Sequence, residues 1–155
     1  MKEIPLTQGK VALVDDEDFE WLNQWKWYFS DKGYAYREQS CHKVHMHTLI
    51  LQTPPGLVCD HINRNRLDNR RCNLRTCYKG ENSRNRGHNS NNTSGYKGVG
   101  WATHQKMWRA RIMNNRKMIH LGYFKNQEDA AKAYDSASTK YFGDFSSKNF
   151  AQEAV

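Results

Sequence analysis

Between Cys59 and Asn82 the chain sets an Asp-His pair, five asparagines and five arginines into 24 residues. Side chains of these types suit chemistry on a phosphodiester. A carboxylate and an amide oxygen can hold a hard cation. An imidazole can take a proton near neutral pH, and guanidinium groups can hold phosphate oxygens. Packing is a poor explanation for such a stretch, because each unpartnered buried polar group costs free energy.

The elements that must position these groups follow from the local pattern. Leu57-Val58-Cys59 reads as a strand that delivers Asp60 and His61 at its end. Adjacent strand residues point to opposite faces, so the pair can share a cavity only if the chain turns there. Residues 63–69 supply a turn, Leu74-Arg75-Thr76 a second strand, and residues 78–86 a helix with Asn82 in its middle. Asparagine is a poor helix-interior residue. Its placement there needs a reason, and projecting an oxygen back toward Asp60 is one. His45 and His47 lie just upstream; they are expected to pack or hydrogen-bond beside the site, and a direct metal role is not expected because no acidic or cysteine partner stands at ligand spacing.

Asp60-His61-Ile62-Asn63, Leu67-Asp68-Asn69-Arg70-Arg71, Asn73-Leu74-Arg75 and Glu81-Asn82 together resemble the HNH nuclease motif, in the form found in phage- and intron-encoded homing-type endonucleases. The resemblance covers roughly residues 45–86 and implies a ββα-metal fold. It implies that Asp60 and Asn82 bind one divalent cation, that His61 is the general base and that Asn73 orients the histidine-bearing loop. An oxygen-only pair of this kind suits Mg2+ or Mn2+, and zinc is not expected. Arg64, Arg66, Arg70, Arg71 and Arg75 could bind flanking phosphates or form a solvated basic face; Arg64, Arg70 and Arg75 are the candidates for DNA contact. Cys59 and Thr48 depart from the family pattern, the second where the family often has arginine.

Upstream, residues 9–14 read as a strand, and the acids from Asp15 to Asp18 suit a helix N-terminus. The aromatic runs 27–29 and 34–37, separated by Ser30-Asp31-Lys32-Gly33, read as a hairpin. Residues 44–51 fit either a short helix or a strand. This first third predicts a small aromatic core and no chemistry of its own.

After a polar linker at residues 84–95, three segments with period-2 alternation precede a small-residue helix that starts at Asn126 and ends at Gly143. Trp108, Ala110 and Ile112 are expected to face the core with Ile119 and Leu121, leaving Arg109, Arg111 and His120 on a free face suited to a DNA groove. This part, residues 95–150, resembles the Apetala-2/ethylene-responsive-factor DNA-binding domain, which implies binding of duplex DNA. Lys97 joins Arg109, Arg111 and His120 as a candidate contact. Gly100 and His120 stand where plant members have arginine and tryptophan, so the plant target sequence does not carry over.

The expected class is therefore α+β: an N-terminal region with the nuclease core over residues 1–83, the linker, a DNA-binding domain over 96–150 and a tail at 151–155. Charge agrees with a polyanionic partner. Residues 1–56 hold 6 Lys/Arg against 8 Asp/Glu (−2), whereas residues 57–95 hold 8 against 3 (+5) and residues 96–155 hold 10 against 5 (+5). No apolar run is long enough for a membrane span and no secretory leader is present, so a cytoplasmic or nucleoid location, with four reduced cysteines, is expected. The leading reading is a metal-dependent endonuclease on double-stranded DNA, with no membrane and no small-molecule substrate. A homodimer stays open, since one such site cuts one strand. Two other readings stand beside it: a DNA-binding regulator whose HNH segment is only scaffold, and an RNA-binding protein resting on charge alone.

Overall fold

Apolar residues gather in separate cores on either side of residue 82. In the computed structural model, which describes residues 1–89 and 91–150, the chain divides into two compact units, Met1–Asn82 and Ser83 onward. The tail at 151–155 lies outside the described residues.

The first unit opens with β1 (Lys2–Pro5) and β2 (Val11–Val14), an antiparallel pair with Ile4 opposite Ala12. The helix α1 (Asp16–Leu22) follows. The expected hairpin forms from β3 (Tyr28–Phe29) and β4 (Ala35–Gln39), with Tyr28 opposite Tyr36, and β5 (His42–His45) completes a three-stranded sheet. The segment left open between helix and strand is both: β5 gives way at Met46 to α2 (Met46–Leu51). Then come β6 (Val58–His61), β7 (Leu74–Cys77) and α3 (Lys79–Arg84), a strand, loop, strand and helix in which Asp60 pairs with Arg75 and His61 with Leu74. The core joins Ile4, Ala12, Val14, Leu22, Trp27, Ala35, Met46, Ile50 and Leu74, so β1, β2 and both sheets are built on one apolar cluster. Trp27 is fully inside, and its indole N–H donates to the carbonyl of Leu22 at 2.8 Å, as burial of that polar edge requires.

The second unit is an antiparallel sheet of β8 (Val99–Ala102), β9 (Met107–Asn114) and β10 (Lys117–Phe124), in the order β10-β9-β8, packed on α4 (Gln127–Phe142). The class is α+β. Ala110 and Ile112 are buried against Ala130, Ala131, Tyr134 and Ala137 of the helix, whose small residues let it lie close to the sheet. Gly98 marks the tightest approach. At φ +77° it places its α-carbon so that a β-carbon would lie 2.0 Å from Cδ2 of Tyr134 and 2.7 Å from the carbonyl oxygen of Arg111. Asn126 precedes α4, but its side chain donates to Asp129 at 3.3 Å and caps no backbone N–H. Gly143 ends the helix at φ +52°.

Alternation fails at one place. Between His120 and Gly122 the pairing slips by one residue: His120 faces Arg111, Gly122 faces Ala110 and Tyr123 faces Arg109. Strict period-2 reading puts Tyr123 inside with Leu121; the bulge turns it outward, where it is exposed. The expected linker at 84–95 also carries structure. Asn85 and Ser94 are buried, and Asn92 Oδ1 accepts the backbone N–H groups of Ser94 (2.8 Å) and Gly95 (3.1 Å).

Candidate active site

The loop between β6 and β7 is held by asparagines used as staples. Asn73 Oδ1 accepts the N–H of Asn63 (2.9 Å) while its Nδ2 donates to the carbonyl of Asp68 (2.7 Å). Asn63 Oδ1 accepts from the N–H of Asn65 (2.8 Å), and Asn65 Oδ1 from that of Leu67 (3.1 Å). Each is a short amide side chain closing a turn on its own backbone. A backbone rail comes from β2: Leu13 donates to the carbonyl of Leu67 and accepts from the N–H of Asn69, both at 2.8 Å. The acids at the start of α1 hold the far end. Buried Asp18 accepts Nε and Nη2 of Arg71 at 2.8 and 2.7 Å, and Asp15 Oδ2 accepts the Arg71 backbone N–H at 2.8 Å. Asp15 was expected to serve the helix N-terminus; its carboxylate caps no helical N–H and is directed to the loop instead. The first third of the chain thus shapes the site.

His61 closes β6 and is buried. Its Nε2 lies 3.3 Å from Oδ1 of Asn69, a residue with no exposed surface. A carboxamide oxygen only accepts, so Nε2 carries the proton and Nδ1 the lone pair. Burial lowers the His61 pKa from its ordinary value, opposed by the Asn69 hydrogen bond and by the charges of Asp60 and Asp68. The ring packs edge-on to His47, with centroids 5.0 Å apart at 78°, and lies 6.0 Å from Tyr34. Asp60, one residue earlier, is buried and turned to a different partner: its Oδ2 accepts from Arg75 Nε at 3.0 Å and Nη2 at 2.8 Å. Asn82 lies within α3, half-buried. Glu81 reaches back to accept the N–H of Tyr78 at 2.8 Å, which fixes the start of that helix. Cys77, at the end of β7, has its thiol pKa raised by burial and by the charge of Asp60 and lowered by a backbone hydrogen bond from Asn82. Burial and the same carboxylate push Cys59 up to about 12, so it stays a thiol.

Among the described residues no three His, Cys, Asp or Glu side chains gather as a metal site. The carboxylate of Asp60 and the amide oxygen of Asn82 are hard donors, of the type that a divalent cation takes together with water and phosphate.

The arginines divide. Arg70 grips Asp68 through Nε and Nη2, both at 2.7 Å, and Arg75 holds Asp60, so two expected DNA contacts are engaged within the protein. Arg66 lies over the ring of Tyr34 at 4.7 Å and donates to the carbonyl of Lys32 at 2.6 Å. Arg64 is exposed on the turn after His61, at φ +66°. In the second unit Lys97 is likewise engaged: its ammonium donates to the carbonyls of Arg84 (2.6 Å) and Arg86 (2.5 Å). Arg109, Arg111 and His120 lie on the sheet face away from α4, and Tyr123, which the sequence did not single out, has its ring tilted at 55° to that of His120 with centroids 4.6 Å apart.

Comparison with known proteins accords with this geometry. Residues 52–84 match the HNH endonuclease family. Over those residues the chain is similar to HNH endonucleases. The protein is accordingly a nuclease, a hydrolase whose substrate is DNA. A protein named as an uncharacterised HNH endonuclease of Acanthamoeba polyphaga mimivirus is 28% identical over 148 residues, covering 92% of this chain and 76% of its own. An ethylene-responsive transcription factor of Arabidopsis thaliana is 40% identical over 63 residues, 39% of this chain and 15% of that protein. Protein 3.8 of Escherichia phage T7 is 41% identical over 59 residues, 38% of this chain and 49% of its own. HNH nucleases generally use a divalent metal ion. No helix among the described residues is long and apolar enough to cross a membrane.

Proposed function

We propose that this HNH nuclease is a metal-dependent, homing-type endonuclease whose second unit holds duplex DNA while the first cuts it. The observation that carries the reading is the Asp60-His61 pair at the end of β6, both buried, one fixed by Arg75 and the other by Asn69. His61 Nδ1 takes the proton of the attacking water. The water oxygen bonds to phosphorus as the bond to the 3′ oxygen breaks, leaving a 5′-phosphate and a 3′-hydroxyl that takes a proton from solvent. Asn69 Oδ1 steadies the imidazolium that forms, and general-base help of this kind contributes ~10²–10⁴ in rate. Asp60 and Asn82 would hold one Mg2+ or Mn2+, which supplies neutralisation of charge on the phosphate and on the leaving oxygen. Asn73 keeps the loop, and through it His61, in place.

The sheet face of Arg109, Arg111, His120 and Tyr123 supports groove binding, and the partial likeness to an ethylene-responsive factor supports the same role. Likeness to viral proteins supports a phage or viral setting, with action in the host cytoplasm or nucleoid; two protomers would be needed to cut both strands at once. The regulator reading draws on Arg75, whose guanidinium already holds Oδ2 of the Asp60 carboxylate.

Supercoiled plasmid incubated with Mg2+, with Mn2+ and with EDTA decides between them. Conversion to open circles that needs the metal supports the nuclease mechanism. Tight DNA binding without metal-dependent nicking would overturn it in favour of the regulator.

A further inference from the structure

The proposed mechanism leaves His47 unused. It is the second residue of α2 and only 9% exposed, with its ring 5.0 Å from that of His61, 5.2 Å from Tyr34 and 5.3 Å from His45. Its Nδ1 is sealed from solvent and has no hydrogen-bond partner. Leaving a polar atom in that state costs ~1–3 kcal/mol, which an apolar side chain of similar size would avoid. Packing against His61 alone therefore does not explain an imidazole here.

We infer that His47 is a second histidine of the reaction, a neutral donor whose Nε2–H binds a non-bridging oxygen of the scissile phosphate while His61 activates the water. The tautomer follows from the sealed nitrogen. A neutral imidazole has one N–H and one bare nitrogen. Buried orphan N–H groups are rarer than under-satisfied acceptors, so the bare nitrogen is Nδ1 and the proton sits on Nε2. Burial, with the charges of His61 and His45, holds the pKa at about 3, so the ring is uncharged at any working pH. An uncharged donor does not repel the imidazolium that His61 becomes. The distance fits as well. A water hydrogen-bonded to His61 sits roughly 3–3.5 Å from the phosphorus it attacks, which brings the phosphate oxygens beside a ring 5.0 Å away. The hydrogen bond strengthens as negative charge builds on that oxygen, so it favours the transition state over the bound substrate.

The inference rests on the nuclease reading, and the experiment keeps the two apart. Single-turnover nicking of supercoiled plasmid with Mg2+ is measured for the wild type, His47→Phe and His47→Gln, beside DNA affinity in EDTA and thermal melting. Phenylalanine keeps a ring against His61 and removes the donor; glutamine keeps an N–H donor. The expected result is a ~10–100-fold slower rate for His47→Phe, with affinity and melting little changed, and recovery to within about fivefold of wild type for His47→Gln. Should phenylalanine prevent folding, His47→Met takes its place. A Phe or Met variant that nicks within about threefold of wild type, or a Gln variant that loses as much as the apolar one, overturns the role of His47. A wild-type protein that does not nick sinks the nuclease reading itself, and this inference with it.

Discussion

Replacing Asp18 with alanine tests whether the N-terminal helix holds the catalytic loop. The Asp18 carboxylate is 1% exposed and accepts three hydrogen bonds, two from Arg71 at 2.8 and 2.7 Å and one from Trp21 Nε1 at 3.2 Å. Charge-assisted bonds contribute ~1.5–3 kcal/mol each, and the low end applies because the Arg71 side chain is 46% exposed and screened. Two such bonds and a weaker one to the indole give about 3 kcal/mol. A unit of this size holds roughly 4–12 kcal/mol in all, so the variant should be markedly less stable yet still folded under mild conditions. Urea unfolding followed by tryptophan fluorescence measures the loss, with the transition of the second unit as an internal control. Asp18→Asn keeps one acceptor and should lose about half as much. Plasmid nicking at a temperature where both variants are folded should also fall, because Arg71 leads into the turn that carries Asn73. A loss under about 1 kcal/mol, or full nicking activity in the alanine variant, would refute the clamp.

Gly98→Ala should destabilise the second unit by about 3 kcal/mol or more, since its β-carbon would overlap Tyr134 and the positive φ adds strain; a melting midpoint within a few degrees of wild type would contradict this. Asn69→Ala should slow nicking ~10–100-fold by freeing the His61 ring, with DNA affinity in EDTA unchanged, and equal losses in both would point to general unfolding. The pH profile should follow from burial of His61. Its pKa lies below the ordinary histidine value, so the base stays unprotonated and the rate holds its plateau as pH falls through 6.5, declining only in more acid solution. The same sign applies to stability: the buried neutral ring contributes above the unfolded pKa, and that contribution is lost as pH falls toward the folded one. A rate midpoint at or above 6.5 would mean that burial is not what sets this base.

Legibility followed periodicity. The run from Trp108 to Ile112 alternates, and the sheet it predicts packs on α4 as expected, because side-chain alternation is a local property of a strand. Tyr123 escaped that logic, since a bulge is fixed by how Leu121 and Gly122 fit against Ala110 and not by any repeat. The loop from Asn63 to Asn73 could be read as chemistry from its residue types, but the division of labour among its asparagines could not. Asn69 against His61 and Asn73 against the backbone differ only in three-dimensional placement. Least visible was the service of the first third. Asp15 and Asp18 look like helix-start acids in sequence, and only the fold brings Arg71 to them from 53 and 56 positions away. The internal partners of Arg70, Arg75 and Lys97 were hidden for the matching reason: a basic residue reads as solvated or as a DNA contact until the fold brings its partner to it.

The bulge in β10 has a consequence for how such a protein changes its target. Treated as a wave of two-residue period, the strand slips by half a period at Leu121–Gly122, so that Leu121 fills the core and Tyr123 still reaches solvent. The outward side chains then form three facing couples, Met113 with Met118, Arg111 with His120 and Arg109 with Tyr123, none of which takes part in holding α4. Each couple can be exchanged like type in a printing forme while the frame behind it stays locked. Gly122 is the fixed point of that frame: at φ +135° it carries the slip, and any β-carbon there would press on the Phe124 ring at 3.2 Å. New specificities in this unit should accordingly arise around Gly122 and almost never at it.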